Sequence, residues 1–432
     1  MRFSENIAKL FKANQFILKA EGMSMLPILK PGDVLFLRRI KFRQAKINDL
    51  IMLMKGGKVI THRVIYKNTD HLITKGDNNQ KSDGKVYPHQ IIGKVYQVKR
   101  NGYYFNPEDI NLLQSSHYYQ EITKIKNIFS SKKIIFVILK GLPLHLYFEK
   151  KHPSRIYADC DLLIDRNSTE KVERVFKVLN YTKAKSEFSS IHKLLKDKPT
   201  EFSFYKKVND FPVVFDIHLE PVFLMNQLGK LDELYPQGMI DEMTGEILTT
   251  KKAIIVESEK FSILNSQFLI LYLCLHFFHH NFRGVHRLEF LDKVIRKTGL
   301  GSDLKDAQGL TLLIRHYRVE NFVYPVFLML IKYFDTPLPR GFLSSIKPKG
   351  DKLKYTKKNI MKINVFDDET RIQAGINRFK NIFFLSPEPI YNKVFVFINP
   401  AVTYSIFWVV YKKIRSYFAV TFAPSSLARA RK

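Results

Sequence analysis

The chain of 432 residues carries 70 Lys and Arg against 40 Asp and Glu, which gives a formal net charge of +30. Its 45% hydrophobic content is enough to build real cores and excludes wholesale disorder. Two cysteines, Cys160 and Cys274, exclude a disulfide scaffold and a cysteine-rich zinc module, and they favour a reducing, cytoplasmic location. The charge suits a nucleotide or an anionic membrane surface as partner, but no zinc finger or aromatic RNA-binding motif accompanies it, so specific nucleic-acid recognition is not expected.

Residues 1–105 are predicted to form a small all-β unit. Between residues 17 and 97, short runs rich in β-branched and aromatic residues alternate with the turn sequences PGD, GG and KGDNNQKSDG. The first twenty residues include four cations and lack a continuous apolar core, so they do not predict a secretory signal. Residues 106–125 are interpreted as a linker.

Within this unit, a serine and a histidine stand in an order that suits nucleophilic catalysis. Ser24 lies in a tight apolar turn, GMSMLP, and a serine hydroxyl is a weak nucleophile until a base removes its proton. His62, in THRV on a predicted strand, is the candidate base because a neutral imidazole accepts a proton near neutral pH. Asp77 and Asp83 are both available to orient the imidazole, and the residues alone leave that choice open.

The ordered boxes GMSMLP, PGD, THRV and TKGDNN, followed by IIGKV, resemble the signal peptidase I family. The histidine in THRV resembles the Ser-His type within that family. This resemblance implies a serine endopeptidase that cleaves a peptide or precursor protein without a cofactor. It implies Ser24 as the nucleophile and His62 as the general base, with Asp83 a better match than Asp77 for the orienting acid.

Two departures from that family stand close to Ser24. No side chain two residues before the serine can donate to an oxyanion, and GMSM is nearer to the SOS-repressor autopeptidases, which share the fold. In addition, no 20-residue apolar span precedes the serine. These departures favour an alternative in which the β unit binds a peptide without cleaving it.

Residues 126–335 are predicted to form a mixed α/β unit with a helical companion, because strand-like and helix-like runs alternate before a helical stretch. In the predicted strand DCDLLID, Asp159 and Asp161 are two residues apart and therefore share one face. Asp216, in VVFDIHL, offers a third carboxylate from a neighbouring strand. Three carboxylates on one face suit Mg²⁺, which binds few carboxylates together with substrate phosphates.

The segments LKGLPLHLYF, DCDLLID and FDIHLEP, with Arg155, resemble the uncharacterised nucleotidyltransferase family of the polymerase-β-like superfamily. The resemblance implies Mg²⁺ and a nucleoside triphosphate, with Asp159 and Asp161 as metal ligands and Asp216 as third carboxylate and base. It also implies that Lys140 and Gly141 lie at the triphosphate. The chain departs from the wider superfamily at residue 142, where leucine replaces a serine that follows the glycine.

Residues 336–432 are interpreted as a basic C-terminal region. Within it, residues 394–411 are uncharged and flanked by lysines, so they predict either a helix that contacts a membrane or a packed terminal helix. Upstream, four histidines crowd one predicted helical stretch and are interpreted as the polar stripe of a packed helix. They are His276, His279, His280 and His286. Asp292 follows them and is a candidate for the nucleotide site.

Together these patterns predict a multidomain fusion of two enzymes, a serine peptidase and a Mg²⁺-dependent nucleotidyltransferase, that act in one maturation or secretion pathway. Two alternatives remain open at this point. One is a nucleotidyltransferase with a non-catalytic, peptide-binding β unit, and the other is a non-enzymatic adaptor tethered to a membrane.

Overall fold

The structure, a computed structural model, describes residues 14–155, 157, 159–184, 200–208, 211–221, 223–225, 230–300, 304–400, 402–404, 406–407 and 411. These residues form two sheets, one in each predicted unit, and most of the described helices gather around the second. The fold class expected from the sequence, an all-β unit followed by a mixed α/β unit with a helical companion, is confirmed.

The first sheet has eight strands, and every pair of neighbours among them is antiparallel. The strands are β1 (Gln15–Lys19), β2 (Val34–Arg38), β3 (Leu50–Lys55), β4 (Lys58–Lys67), β5 (Leu72–Lys75), β6 (Lys85–Val86), β7 (Ile91–Arg100) and β8 (Tyr103–Phe105). Their spatial order is β1-β2-β7-β3-β4-β5-β6, with β8 on β7. Strand β2 shows why the pattern folds this way, since Leu35 and Leu37 are buried while the residues between and beside them are not.

The second sheet has seven strands. They are β9 (Phe136–Lys140), β10 (Asp159–Ile164), β11 (Thr182–Lys183), β12 (Glu201–Val208), β13 (Phe211–His218), β14 (Lys252–Val256) and β15 (Glu259–Ile263). Their order is β11-β12-β13-β10-β9-β15-β14. The sheet is mixed because β10 runs parallel to β13 and β9 runs parallel to β15, whereas the other pairs are antiparallel.

The described helices are α1 (Pro107–Ser131), α2 (Leu142–Glu149), α3 (Thr169–Val178), α4 (Gln237–Thr249), α5 (Ser266–His279), α6 (Val285–Thr298), α7 (Leu304–His316), α8 (Glu320–Phe334), α9 (Phe342–Ser345), α10 (Gly350–Lys358), α11 (Arg371–Leu385) and α12 (Ile390–Val394). Helix α5 is buried almost all round and packs against α6, α7 and α8, which form the helical companion. Its first turn is capped by Asn265, whose side chain accepts a hydrogen bond from the N–H of Phe268 at 3.0 Å.

Residues 106–125, interpreted as a linker, lie in helix α1. Tyr118, Ile122 and Phe129 recur at three- and four-residue multiples and are buried against the second sheet, where the Phe129 ring meets Phe136 at 5.4 Å. The buried face also includes the polar residues Asn111, Gln114 and Ser115, which weaken the apolar period in the sequence. Between residues 338 and 370 the chain forms the short helices α9 and α10.

The two units are in contact, and aromatic rings make part of the contact. Tyr66 on β4 lies with its ring centroid 5.2 Å from that of Phe366 and 6.4 Å from that of Tyr333. Ser82 donates its backbone N–H and its hydroxyl to Asp367 Oδ1, at 3.0 and 2.8 Å. The loop between β5 and β6 is therefore held by a segment that follows the mixed α/β unit in sequence.

Among the described residues, no helix combines the length and apolarity needed to cross a membrane. The described part of residues 394–411 begins with the end of α12 and a short 3₁₀ helix, Phe395–Ile398, and the basic residues 412–432 lie outside the described residues.

Phe176→Ala tests the packing of the second unit. Phe176 is fully buried and stacks on Phe204 with centroids 4.3 Å apart, so its truncation is expected to lower the free energy of unfolding by about 3–5 kcal/mol. Val178→Ala on the same helix is the matched control, because Val178 is 80% exposed and its truncation should cost less than about 0.5 kcal/mol. Urea unfolding measures both, and equal losses would contradict the assigned core.

Candidate functional site

The turn that carries Ser24 is pinned by the loop after β5. The N–H of Asn78 donates to the carbonyl oxygen of Ser24 at 2.8 Å, and the side-chain amide of Asn78 donates to the carbonyl of Met23 at 3.2 Å. Gly76 permits this approach, since a Cβ added there would lie 2.7 Å from the Ser24 carbonyl oxygen. The glycine of the TKGDNN box is thus required by backbone packing against the serine turn.

Ser24, His62 and Asp83 form a continuous hydrogen-bonded row. His62 Nε2 lies 3.0 Å from Ser24 Oγ, and His62 Nδ1 lies 2.7 Å from Asp83 Oδ2. An ionised carboxylate only accepts, so Nδ1 carries the proton and Nε2 of a neutral ring is left to accept the serine proton. Thr74 donates its hydroxyl to the same Asp83 oxygen at 2.7 Å, which fixes the carboxylate, and His62 is only 5% exposed.

The other candidate for the orienting acid, Asp77, lies elsewhere. Its two carboxylate oxygens accept from Nε and Nη2 of Arg63, both at 2.7 Å. Arg63 follows His62 on β4 and therefore projects from the opposite face of the strand. The structure brings Asp83 to the imidazole and leaves Asp77 as the partner of the arginine.

The backbone N–H of Ser24 is a hydrogen-bond donor at the site. Within the described part of the chain, the N–H of Ser24 makes no hydrogen bond. It is the donor that remains for an oxyanion where the sequence lacks a side-chain donor two residues earlier.

The three aspartates of the second unit converge on one face of its sheet. Strands β10 and β13 are parallel and in register, so that Asp161 lies directly opposite Asp216, and Asp159 shares their face. One carboxylate oxygen from each of the three lies within 4.8 Å of the other two. Because all three ligands are hard oxygens, the set fits Mg²⁺ with open positions for water and phosphate.

Lys140, at the end of β9, lies between two of these carboxylates. Its Nζ is 2.8 Å from Asp159 Oδ2 and 2.8 Å from Asp161 Oδ2. Burial disfavours its charge, but the charges of Asp161 and Asp159 outweigh burial and raise the pKa of Lys140. The ammonium therefore neutralises the carboxylates directly. Gly141 follows at φ +125° with its α-carbon against Cys160, where a Cβ would meet backbone and sulfur at 3.2 Å.

The aspartates differ in their electrostatics. Burial alone would raise the pKa of Asp161, but Lys140 and a hydrogen bond from His218 Nε2 at 2.8 Å hold that pKa below its ordinary value. Burial, and then the charge of Asp161, raises the pKa of Asp216 to about 6. Ser203 donates its hydroxyl to Asp216 Oδ1 at 2.5 Å. Asp216 is therefore the carboxylate of the three that is suited to accept a proton near neutral pH.

Sequence reasoning missed four polar residues at these sites: Arg63, Thr74, Ser203 and His218. His218 carried a signal, because it lies two residues after Asp216 on one strand and so shares its face. The others depend on cross-strand register. Of the crowded histidines, His276 is buried in the helical companion, with its Nε2 3.2 Å from His280 Nε2. Among the described residues only the three aspartates form a group of three or more metal-type ligands.

Asp292, a candidate for the nucleotide site, has its hydrogen-bond partners elsewhere. Its carboxylate accepts hydrogen bonds from Arg296 Nε at 2.9 and 3.0 Å and from the Thr336 hydroxyl at 2.7 Å. It joins helix α6 to the segment after α8.

Comparisons with known proteins agree with the two units. Residues 108–335 match a family model described as uncharacterised nucleotidyltransferase, and residues 3–96 match one described as peptidase S24-like. The predicted fusion of a peptidase-like and a nucleotidyltransferase-like unit is thereby confirmed. The matched peptidase family is the S24-like one, so the finer assignment to signal peptidase I stays a prediction.

A crystal structure of an antigenic nucleotidyltransferase-like protein from Paracoccidioides brasiliensis also resembles the chain. It is 12% identical, and the match covers 53% of this chain and 97% of that one with a TM-score of 0.31. No curated protein matches the chain significantly.

Asp216→Asn is expected to stabilise the metal-free protein in a pH-dependent way. With a folded pKa of about 6 against 3.8 for the free side chain, the wild type loses stability as the pH rises from about 4 to about 6. The variant lacks this loss, so at pH 7 it should be more stable by on the order of 3 kcal/mol, and the gain should vanish below about pH 4. Urea unfolding in EDTA measures the difference. Exposed Asp351→Asn is the control, and a gain at Asp216 that does not change with pH would contradict the assignment.

Proposed function

We propose that the chain is a serine endopeptidase joined to a Mg²⁺-dependent nucleotidyltransferase. The premise is that the chain belongs to the uncharacterised nucleotidyltransferase family and carries a peptidase S24-like domain ahead of the nucleotidyltransferase unit. The observation that carries the peptidase half is the unbroken row from Ser24 Oγ through the His62 ring to Asp83. Because one chain holds both sites, we place both reactions in a single maturation or secretion pathway.

The peptidase chemistry follows from the direction of the hydrogen bonds. Ser24 Oγ donates its proton to His62 Nε2 as it attacks a peptide carbonyl, and Asp83 holds the Nδ1–H and stabilises the imidazolium that forms. His62 then returns the proton to the leaving amine. In the second half of the reaction, His62 again acts as the base and removes a proton from water, which attacks the acyl group on Ser24. The acyl group is then released from Ser24 as a carboxylic acid.

A non-catalytic, peptide-binding β unit is the second candidate. It is favoured by the lack of a side-chain oxyanion donor near Ser24, since the loss of one such donor typically costs about 3 kcal/mol in the transition state. The two candidates differ in one observable, which is covalent reaction at Ser24.

The nucleotidyltransferase half is supported by the geometry of the three aspartates. Asp159 and Asp161 would hold the metal, and Asp216 would complete the set and accept the proton of the attacking group. When bound, Mg²⁺ neutralises phosphate charge and orients the phosphates. Lys140, already beside both carboxylates, is placed to interact with a phosphate oxygen once it is displaced from them.

The peptidase proposal predicts that a serine-directed acylating probe labels Ser24 in the wild type. Labelling should be absent in Ser24→Ala, and its rate should fall about 10³–10⁴-fold in His62→Ala and in Asp83→Asn, because the base or its orientation is lost. Intact-protein mass spectrometry measures the rate.

The matched control is Asp70→Asn, which removes a carboxylate that is 62% exposed in the same unit and should leave the rate unchanged. Absence of labelling in folded wild-type protein would reject the peptidase half and favour the peptide-binding candidate.

The nucleotidyltransferase proposal predicts that Mn²⁺, used as a probe for Mg²⁺, competes with the Lys140 ammonium. Lys140→Met should bind Mn²⁺ at least tenfold more tightly, whereas Asp159→Asn/Asp161→Asn should lose measurable binding. Calorimetric titration reports both affinities. Lys183→Met, at an exposed lysine paired with Glu173, should match the wild type, and Mn²⁺ binding that ignores the two aspartates would contradict the assigned ligands.

A further inference from the structure

A cavity of about 300 Å³ lies between the two units. One wall is formed by Pro27 and Ile28, directly after the Ser24 turn, and by Gly76. The facing wall is formed by Arg155 and by Gly284 and Val285, where helix α6 begins. The volume is at the lower end of the range for small-molecule sites, and the position between units is common for such sites.

The carboxylates that line this cavity are all neutralised. Asp77 is paired with Arg63, and Asp368 is paired with the Nζ of Lys75. Glu289 accepts from Lys293 at 2.9 Å. Each of these carboxylates therefore already has a cation beside it, and Lys293 also pairs with Glu149 at 2.7 Å.

Arg155 lines the cavity, Arg287 lies behind its Gly284 wall, and neither has such a counterpart. Among the described residues, no carboxylate pairs with the guanidinium of Arg155, which lies 4.4 Å from the centroid of the Tyr157 ring, or with that of Arg287. The Arg287 guanidinium folds back over Gly284, where a Cβ would lie 2.2 Å from its Nη1. It therefore lies at the wall that Gly284 contributes, beside the N-terminal end of helix α6 and its positive dipole.

The field at this wall is positive. Burial first, and then the charges of Arg287, Arg155, Lys75 and Lys140, lower the pKa of His286, which lines the cavity, well below its ordinary value. Burial likewise lowers the pKa of Arg287 to about 10, and Arg155 lowers it further while Asp368, Asp159 and Asp161 oppose the shift. Like charges held close together at a partly buried wall repel one another, and an anion between them relieves that cost.

We propose that this cavity between the units binds the phosphate groups of a ligand, with Arg155 as a direct contact and Arg287 behind the Gly284 wall. Arginine is suited to this task because its planar guanidinium matches phosphate oxygens in pairs. The charges of Asp159 and Asp161 act on Arg287, so the carboxylate site lies within electrostatic reach of the wall behind Gly284. The phosphates belong either to the nucleotide or to a phosphorylated acceptor, and this second step of the inference rests on the proposed nucleotidyl transfer.

Calorimetric titration of the full chain with tripolyphosphate in EDTA tests the cavity without any divalent metal. We expect binding to the wild type and at least tenfold weaker binding in Arg155→Gln and in Arg287→Gln. Arg174→Gln, at an exposed arginine of α3, should bind as the wild type does. No binding to the wild type, or equal affinities in all variants, would overturn the proposal. If Arg287→Gln fails to fold, as judged by its unfolding transition, the partly exposed Arg155 still decides the outcome.

Two further arms separate this inference from the proposed function and identify the source of the phosphates. Asp159→Asn/Asp161→Asn should still bind tripolyphosphate in EDTA, so failure of nucleotidyl transfer and failure of the cavity are distinguishable. Loss of tripolyphosphate binding in that variant would contradict a cavity separate from the metal ligands. In wild-type protein, competition between tripolyphosphate and Mg²⁺–ATP would assign the cavity to the nucleotide, and simultaneous binding would assign it to the acceptor.

Discussion

The ion pair between Arg63 and Asp77 is the constraint that leaves Asp83 as the partner of His62. The loop after β5 offers two aspartates, and the bidentate pair with Arg63 takes one of them and leaves Asp83 for His62. Arg63 also donates to the carbonyl of Asn48 at 3.0 Å and, across the boundary between the units, to that of Ser154 at 3.2 Å. Because alternation along β4 sends adjacent side chains to opposite faces, one strand positions the base and anchors the loop that orients it.

The same loop is held from a second side. The N–H of Asp368 donates to the carbonyl of Gln80 at 2.7 Å, and Asp367 accepts from Ser82, while the neighbouring Glu369 pairs with Arg283 at 3.0 Å in the helical companion. Residues far apart in sequence thus make hydrogen bonds to the segment that positions Asp83. The geometry of the serine site therefore depends on contacts from outside the β unit as well as on contacts within it.

Much of this arrangement could be predicted from the sequence. The order of the boxes around Ser24 and His62 is a local pattern, and so is the two-residue spacing of Asp159 and Asp161. Such patterns can be interpreted without knowledge of the tertiary contacts. The residues alone left the choice between Asp77 and Asp83 open, because it depends on where a cross-strand arginine lies, and only the family resemblance favoured Asp83. For the same reason the position of Lys140 between two carboxylates was not foreseen. Helix α1 was interpreted as a linker because its buried face includes the polar residues Asn111, Gln114 and Ser115.

The most direct test of the account is the hydrogen-bonded ring proton of His62, observed by proton NMR of imidazole-labelled protein. A hydrogen bond from Nδ1–H to a carboxylate predicts a resonance well downfield of the backbone amides in the wild type. The account predicts that this resonance disappears in Asp83→Asn and persists in Asp77→Asn. Its persistence in Asp83→Asn together with its loss in Asp77→Asn would contradict the assembly of Ser24, His62 and Asp83.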